Sequence, residues 1–280
     1  SYWGVKYGAA LGDSMRLQGR ACYDEYYYAG VYAYNLSDTA SAPETALFLD
    51  EADGRWAGTE WQLTAQLPER HTVVVGGEYR DSFRERQVGY YDYAPTDYLP
   101  YQDSDSDVLA LFAQSETQLR ANLALTAGIR YDRYSGDADT VNPRLGLVYN
   151  PSATATLKAL YGEAFRAPNP FEDHYFIGQW AREPLRPGSI TTYELVYEKQ
   201  LANDLRLTVS GYDYTVDDLI NQAGASAIEV HFANLEGASA HGTPTPEGGL
   251  VAVPDRFHDD AAVFAEPLAA ALHVVDDARD

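Results

Sequence analysis

Along most of the chain, apolar and polar residues take turns. Met15, Leu17, Gly19, Ala21 and Tyr23 alternate with Arg16, Gln18, Arg20, Cys22 and Asp24. Trp61, Leu63, Ala65 and Leu67 alternate with Glu60, Gln62, Thr64 and Gln66. The pattern returns over 73–81, 107–119, 123–132, 144–149 and 191–198. Successive side chains of a strand point to opposite faces, so a period of two predicts strands with one apolar and one more polar face. The strands expected are 1–10, 15–34, 55–67, 73–81, 107–119, 123–132, 142–150, 155–165, 189–201, 204–214 and 228–235. The fold class expected is all-β, an antiparallel meander of about 11 strands.

The connections alternate too. Leu11–Ser14, Pro68–His71, Arg120–Asn122, Asn150–Ser152 and Ala202–Asn203 read as tight turns. Between them lie longer polar stretches at 35–53, 85–106 and 166–188, a modest one at 135–141, and another opening at 217–222. A soluble sandwich has no reason to put every long loop at one end. A membrane barrel does, with short turns on one side and long loops on the other. Strands that cross a bilayer at a tilt need about 9–11 residues, close to the lengths expected here.

Residues 238–280 are a different text. They are rich in Ala, Asp and Pro, lack the period of two, and hold His241, His258 and His273, three of the six histidines. An irregular tail is expected there, from a shifted reading frame or a real linker, with a short helix over 261–275.

Composition narrows the partners. The net charge is −22, from 42 acidic and 20 basic residues. That excludes a nucleic-acid partner, whose phosphates need Lys and Arg. There are 23 tyrosines against 9 phenylalanines. An apolar ring with a wet hydroxyl suits the girdles of a membrane barrel, and equally a tyrosine-rich soluble β protein. Mean hydropathy is −0.37. In a barrel only alternate residues face lipid, so a polar average does not argue against one. The single cysteine, Cys22, forbids an internal disulfide. The chain opens inside a strand at Ser1-Tyr2-Trp3-Gly4, which suggests a piece whose start is missing.

Catalytic signatures are absent: no G-x-S-x-G, H-E-x-x-H or C-x-x-C occurs. No enzyme and no cofactor are expected. His71 and His174 read as surface residues in a turn and a loop. Asp103, Asp105 and Asp107 form an alternating carboxylate string that could take calcium. It lacks the glycine and distal glutamate of an EF-hand loop, and a solvated loop end is the alternative. The loop aromatics Tyr90, Tyr91, Tyr93, Tyr98, Tyr175, Phe176 and Trp180 are ligand candidates, since rings capture bulky ligands by area and stacking. Packing among themselves is the other role open to them.

One stretch resembles a known family. The run Tyr161-Gly162-Glu163-Ala164-Phe165-Arg166-Ala167-Pro168-Asn169-Pro170-Phe171-Glu172 is similar to the hallmark of TonB-dependent outer-membrane receptors. Asn142-Pro143-Arg144-Leu145-Gly146-Leu147 before it, Leu185-Arg186-Pro187-Gly188-Ser189-Ile190 after it, and Thr192-Tyr193-Glu194 fit the same pattern. The resemblance implies that residues 1–237 are part of a barrel of about 22 strands. It places Arg166 at the outer end of a strand, near the plug and the loop base, either as a ligand-binding residue or as a strand terminator that holds loop shape, where Pro168 and Pro170 fix the chain's exit. It turns Arg130, Asp132, Arg144, Glu194, Glu198 and Arg206 inward, toward a plug domain that this chain does not include. The partners implied are outer-membrane lipid, the TonB complex acting through that plug, and a nutrient ligand such as a metal chelate. The function implied is energy-coupled uptake of a ferric siderophore, haem or cobalamin by a Gram-negative bacterium. The chain alone is then a fragment, neither a closed barrel nor a transporter. A plugless diffusion porin and a soluble β-sheet protein that binds carbohydrate are the alternatives.

Overall fold

The computed structural model of the chain describes residues 1–36, 43–68, 70–135, 138–169, 171–172, 176–177, 184–202, 205–226, 229–235 and 238–242. Its elements are β1 (Tyr2–Ala10), β2 (Met15–Asn35), β3 (Thr45–Leu67), β4 (His71–Tyr91), β5 (Tyr98–Arg120), β6 (Leu123–Tyr134) and β7 (Ala138–Ser152). Then come β8 (Ala155–Arg166), β9 (Phe176–Ile177), β10 (Gly188–Ala202), β11 (Leu205–Asp217), β12 (Leu219–Ser226), β13 (Glu229–Leu235) and β14 (Ala238–Gly242). An 11-stranded sheet runs β1-β2-β3-β4-β5-β6-β7-β8-β10-β11-β14, and a 3-stranded sheet runs β12-β13-β9. Neighbours pair antiparallel, as hairpins with short turns dictate.

The expected all-β meander is therefore present, with three corrections. The strand expected over 228–235 leaves the main sheet and pairs with β12 and β9 instead. The eleventh place in the main sheet goes to Ala238–Gly242, which pairs with β11 although it was expected in the irregular tail. Residues 243–280, with His258, His273 and the expected helix, lie outside the described residues. Third, the stretches 35–53 and 85–106 are largely strand rather than loop. β2, β3, β4 and β5 run 21, 23, 21 and 23 residues, about twice the length a bilayer needs.

Register sorts every residue onto a face, because cross-strand partners share one. One row runs Leu17–Leu63–Val75–Ala113–Ile129–Pro143 across β2 to β7. The next position along gives Gln18–Gln62–Gly76–Phe112–Arg130–Asn142. The first face is the outer one. From Met15 to Tyr23, Ala57 to Leu67, Val73 to Tyr79, Leu109 to Leu119, Leu123 to Tyr131 and Val141 to Tyr149 it carries no charged residue. Its side chains are open to the surroundings: Ile129 is 52% exposed, Leu111 54% and Leu195 54%. A band of that kind, bounded by Tyr23, Tyr79, Tyr131, Tyr161 and Tyr193, matches the lipid-facing belt of a membrane barrel.

A soluble protein puts its apolar side chains between layers. Here a single layer leaves them outside, and few groups are buried: Ala110 at 0%, Ile220 at 1% and Asp132 at 1%. On the outer face Trp61 lies over Gly19, where a Cβ would come 2.5 Å from Cζ3 of the indole. Tyr7 pairs with Gly19 in register, and its ring meets Trp61 at 6.4 Å. The missing side chain is what lets the two rings touch across β2.

Candidate functional site

The inner face carries the chemistry, and it has two levels. At the level of the belt it is a wall of paired charges. Arg130 Nε donates to both Asp132 oxygens at 2.9 and 3.0 Å, and its Nη2 reaches Glu78 Oε2 at 3.1 Å. Lys158 Nζ meets Glu198 Oε1 at 2.9 Å, and Arg20 pairs with Glu60 at 3.2 Å. Arg144 lies across Gly128, whose Cβ would come 2.7 Å from its Nε, and makes no ion pair among the described residues. Arg206 Nε donates to Gln200 Oε1 at 3.3 Å, and Glu194 stands opposite Leu160 and Tyr212. So Arg130, Asp132, Arg144, Glu194, Glu198 and Arg206 all lie on this one face. Glu78, Lys158, Arg20 and Glu60 complete their pairs and were not singled out in the sequence. Only the register shows which alternate positions meet.

Above the belt, the long ends of β2 to β5 continue the inner face as rungs. They read Tyr26–Gly54–Glu85–Ser104, Tyr28–Ala52–Gln87–Gln102, Gly30–Asp50–Gly89 and Tyr32–Phe48–Tyr91, with Tyr34–Ala46 at the end. A bulge makes this possible. Between Asp81 and Arg84, β4 has one residue more than each neighbour, so Glu85, Gln87 and Tyr91 turn inward after the even positions did so below. Tyr91 is the centre of a ring cluster. It meets Phe48 at 5.1 Å, Tyr34 at 6.3 Å and Tyr93 at 5.4 Å. Gly30 lets the Tyr28 and Tyr32 hydroxyls hydrogen-bond above it, for its Cβ would sit 2.3 Å from the Tyr28 hydroxyl. That bond, then burial, pushes the Tyr28 phenol up to about 12.

Two carboxylates stand among these rings. Asp50 is held above the usual carboxylate range by burial, opposed by a hydrogen bond from Gln87. Glu85 is raised by burial, against the pull of Ser106, whose hydroxyl donates to it at 2.9 Å, and of Arg80. Tyr91 is raised by burial and by its tyrosine neighbours.

The hallmark corner has its own lock. Arg166 Nη1 donates to Glu172 at 2.7 and 2.9 Å. Glu172 Oε2 accepts the Asn169 amide, and its own amide donates to Asn169 Oδ1, each at 2.9 Å. Arg166 Nη1 thus shapes the chain's exit from β8, while its buried Nη2 has no hydrogen-bond partner among the described residues. Beyond it, Asn234 Nδ2 donates to the carbonyls of Arg186 and Asp218 at 2.8 and 2.7 Å, and accepts the Arg186 amide at 2.8 Å. Arg186 pairs with Asp218, which holds φ at 53°. This ties the start of β10 to the β11–β12 corner and to β13, and Phe171 meets Phe232 edge-on at 5.7 Å.

The remaining candidates are dispersed. Tyr90 falls on the outer face opposite Leu49, and the Tyr98 backbone pairs with Tyr90. The Phe176 backbone pairs with His231 in the small sheet. Tyr175, Trp180 and His174 lie outside the described residues. Asp103, Asp105 and Asp107 alternate along the outer face of β5, opposite Arg86 and Asp81. An extended strand sets the first and last of them about 13–14 Å apart, so the three do not converge on one ion. Among the described residues no three His, Cys, Asp or Glu side chains form a group that could hold a metal.

Residues 1–240 match the family model described as TonB dependent receptor-like, beta-barrel. No curated protein matches the chain. Among solved structures, a mutant of the ferric enterobactin receptor PfeA from Pseudomonas aeruginosa overlays 86% of this chain and 40% of its own, with TM-score 0.66 and 16% identity. The copper transporter OprC overlays 86% of this chain and 43% of its own, with TM-score 0.69 and 16% identity. The siderophore receptor PirA from Pseudomonas aeruginosa overlays 86% and 52%, with TM-score 0.58 and 15% identity. The chain spans between 40% and 52% of the length of these structures, and at such identity the likeness is one of fold.

Proposed function

We propose, because this chain belongs to the TonB-dependent receptor β-barrel family, that it forms a stretch of wall in an outer-membrane receptor of a Gram-negative bacterium. That receptor takes up a large, scarce nutrient with energy delivered through TonB. The observation that supports this best is the two-faced sheet: a charge-free belt outside, and paired charges of both signs inside. A diffusion pore has no use for an inner wall on which Arg20 and Arg130 are already paired. A plug that must shift has. Arg130, Asp132 and Glu198 satisfy one another and their neighbours within the wall, so a polar plug can lie against them without stranding a buried charge when it moves. Arg144, Glu194 and Arg206 are the wall groups left to touch it.

The nutrient is a metal chelate, haem or cobalamin on this reading, and the ring cluster around Tyr91 is where it first lands. The test is growth. Deleting the gene should abolish growth of the native host, under iron or cobalamin limitation, on one member of a panel of ferric siderophores, haem and cobalamin. A TonB-deficient host should show the same loss. Unchanged growth on every member of the panel would overturn the proposal.

A further inference from the structure

The rungs above the belt have a property that their aromatic content alone does not give. Reading across β2 to β5 from Tyr26 to Tyr34, the inner face holds Tyr, Phe, Gly, Ala, Ser and Gln, two carboxylates and no lysine or arginine. Small residues line the β3 column at Gly54, Ala52 and Ala46, between the tyrosines of β2 and the polar side chains of β4. The result is a shallow trough. Its rings are open: Tyr26 is 50% exposed, Tyr32 45% and Tyr34 47%. Asp50 is flanked in its rung by Gly30 and Gly89, and the neighbours that reach it, Gln87 on β4 and the Tyr28 ring on β2, carry no positive charge. Neither Asp50 nor Glu85 has an ion pair among the described residues, although the outer face of the same strands pairs Arg84 and Arg55 with Asp53.

Each of these features favours the same occupant. The face of an aromatic ring carries negative potential and attracts cations. A carboxylate half withdrawn from water gains more from a cation than one in bulk solvent, and repels an anion by as much. We infer that this trough selects a positively charged ligand bearing flat apolar surface, and rejects polyanionic chelates of the ferric catecholate kind. The inference rests on the uptake reading and names the charge class of its substrate. Asp50 and Glu85 supply the counter-charge. Tyr26, Tyr32, Tyr34 and Tyr91 supply the stacking surface.

Two xanthene dyes of similar size test it: rhodamine 123, a cation, and fluorescein, a dianion at neutral pH. Fluorescence anisotropy measures both on one preparation of the protein from outer membranes. The cation should bind about tenfold more tightly than the dianion, in keeping with cation–π and carboxylate contacts that are partly desolvated. Asp50→Asn with Glu85→Gln should bring the two affinities near parity. Tyr32→Leu with Tyr91→Leu should weaken both dyes together. A misfolded variant loses both dyes, whereas the charge variant shifts their ratio. Equal binding of the two dyes by the wild type, or a ratio that Asn and Gln leave unmoved, would overturn the inference. The uptake reading fails separately. Growth lost on a trianionic ferric catecholate would keep uptake and sink the charge selection. Dye selectivity without a growth defect on any nutrient would keep the trough and sink uptake.

Discussion

Glu172 shows how much one side chain can fix at a strand end. It takes the Arg166 guanidinium, accepts the Asn169 amide and is gripped in return by the Asn169 side chain. Its residue is 8% exposed, so few of these bonds are shared with water. Glu172→Ala should free the Asn169 amide and leave Arg166 without its counter-ion. Hydrogen bonds to charged groups contribute about 1.5–3 kcal/mol, so hydrogen exchange at Asn169 should quicken by about tenfold or more. Exchange at wild-type rates in that variant would mean the corner is held by Pro168 alone. The pair was half legible in the sequence. The hallmark phrase put Arg166 at a strand end, and Glu172 stood at its close, but nothing in a linear reading says that the one is the other's partner. Asn234 is the harder case. It sits 48 residues from Arg186, and only the fold brings the two phrases together.

At the scale of elements, alternation was readable where lipid lies on one side and the lumen on the other. There the two faces demand different residues, and the period of two is printed in the chain. Above the belt both faces meet water. Tyr26 to Asn35 and Thr45 to Trp56 remain strand, yet 35–53 and 85–106 no longer advertise it, and the sequence reads as loop. The extra residue in β4 compounds this, since it reverses which places face inward and so hides Glu85 and Tyr91 from any count begun at Val73. The belt itself makes a sharp prediction. Leu145→Arg, on the outer face opposite Ala127 and Tyr161, should lower the stability of the receptor refolded into phospholipid vesicles by about 2–4 kcal/mol in urea titration. Thr126→Arg, on the inner face opposite Gly146, should cost much less. Equal costs would mean that the faces are assigned the wrong way round.

For the whole molecule, the balance of charge and shape is unusual for a chain with mean hydropathy of −0.37. Among the described residues the belt carries no acidic side chain, and most large apolar side chains are exposed rather than buried in a core. The sheet keeps β1 and β14 as its edges among the described residues, each with a row of backbone groups facing outward. Such edges are satisfied in a membrane only by further strands, which agrees with structures that this chain overlays over about half their length or less. The resemblance in the sequence reached the family; the register was needed to reach the wall.

On the proposed outer-membrane reading, the length of β2 to β5 matters to anything that approaches the cell from outside. A protease grips its substrate by laying an extended segment against its own backbone, and it needs peptide groups with nothing yet bonded to them. Around Arg55 and Arg86 those groups are already engaged across the sheet, Arg55 in register with Glu25 and Arg84, and Arg86 with Asp53 and Asp103. Trypsin applied to intact bacteria should therefore leave the bonds after these arginines whole, as mass spectrometry of the shaved peptides would record. A chain whose polar text looks like open loop would present to the outside world a stockade rather than a set of loose ends.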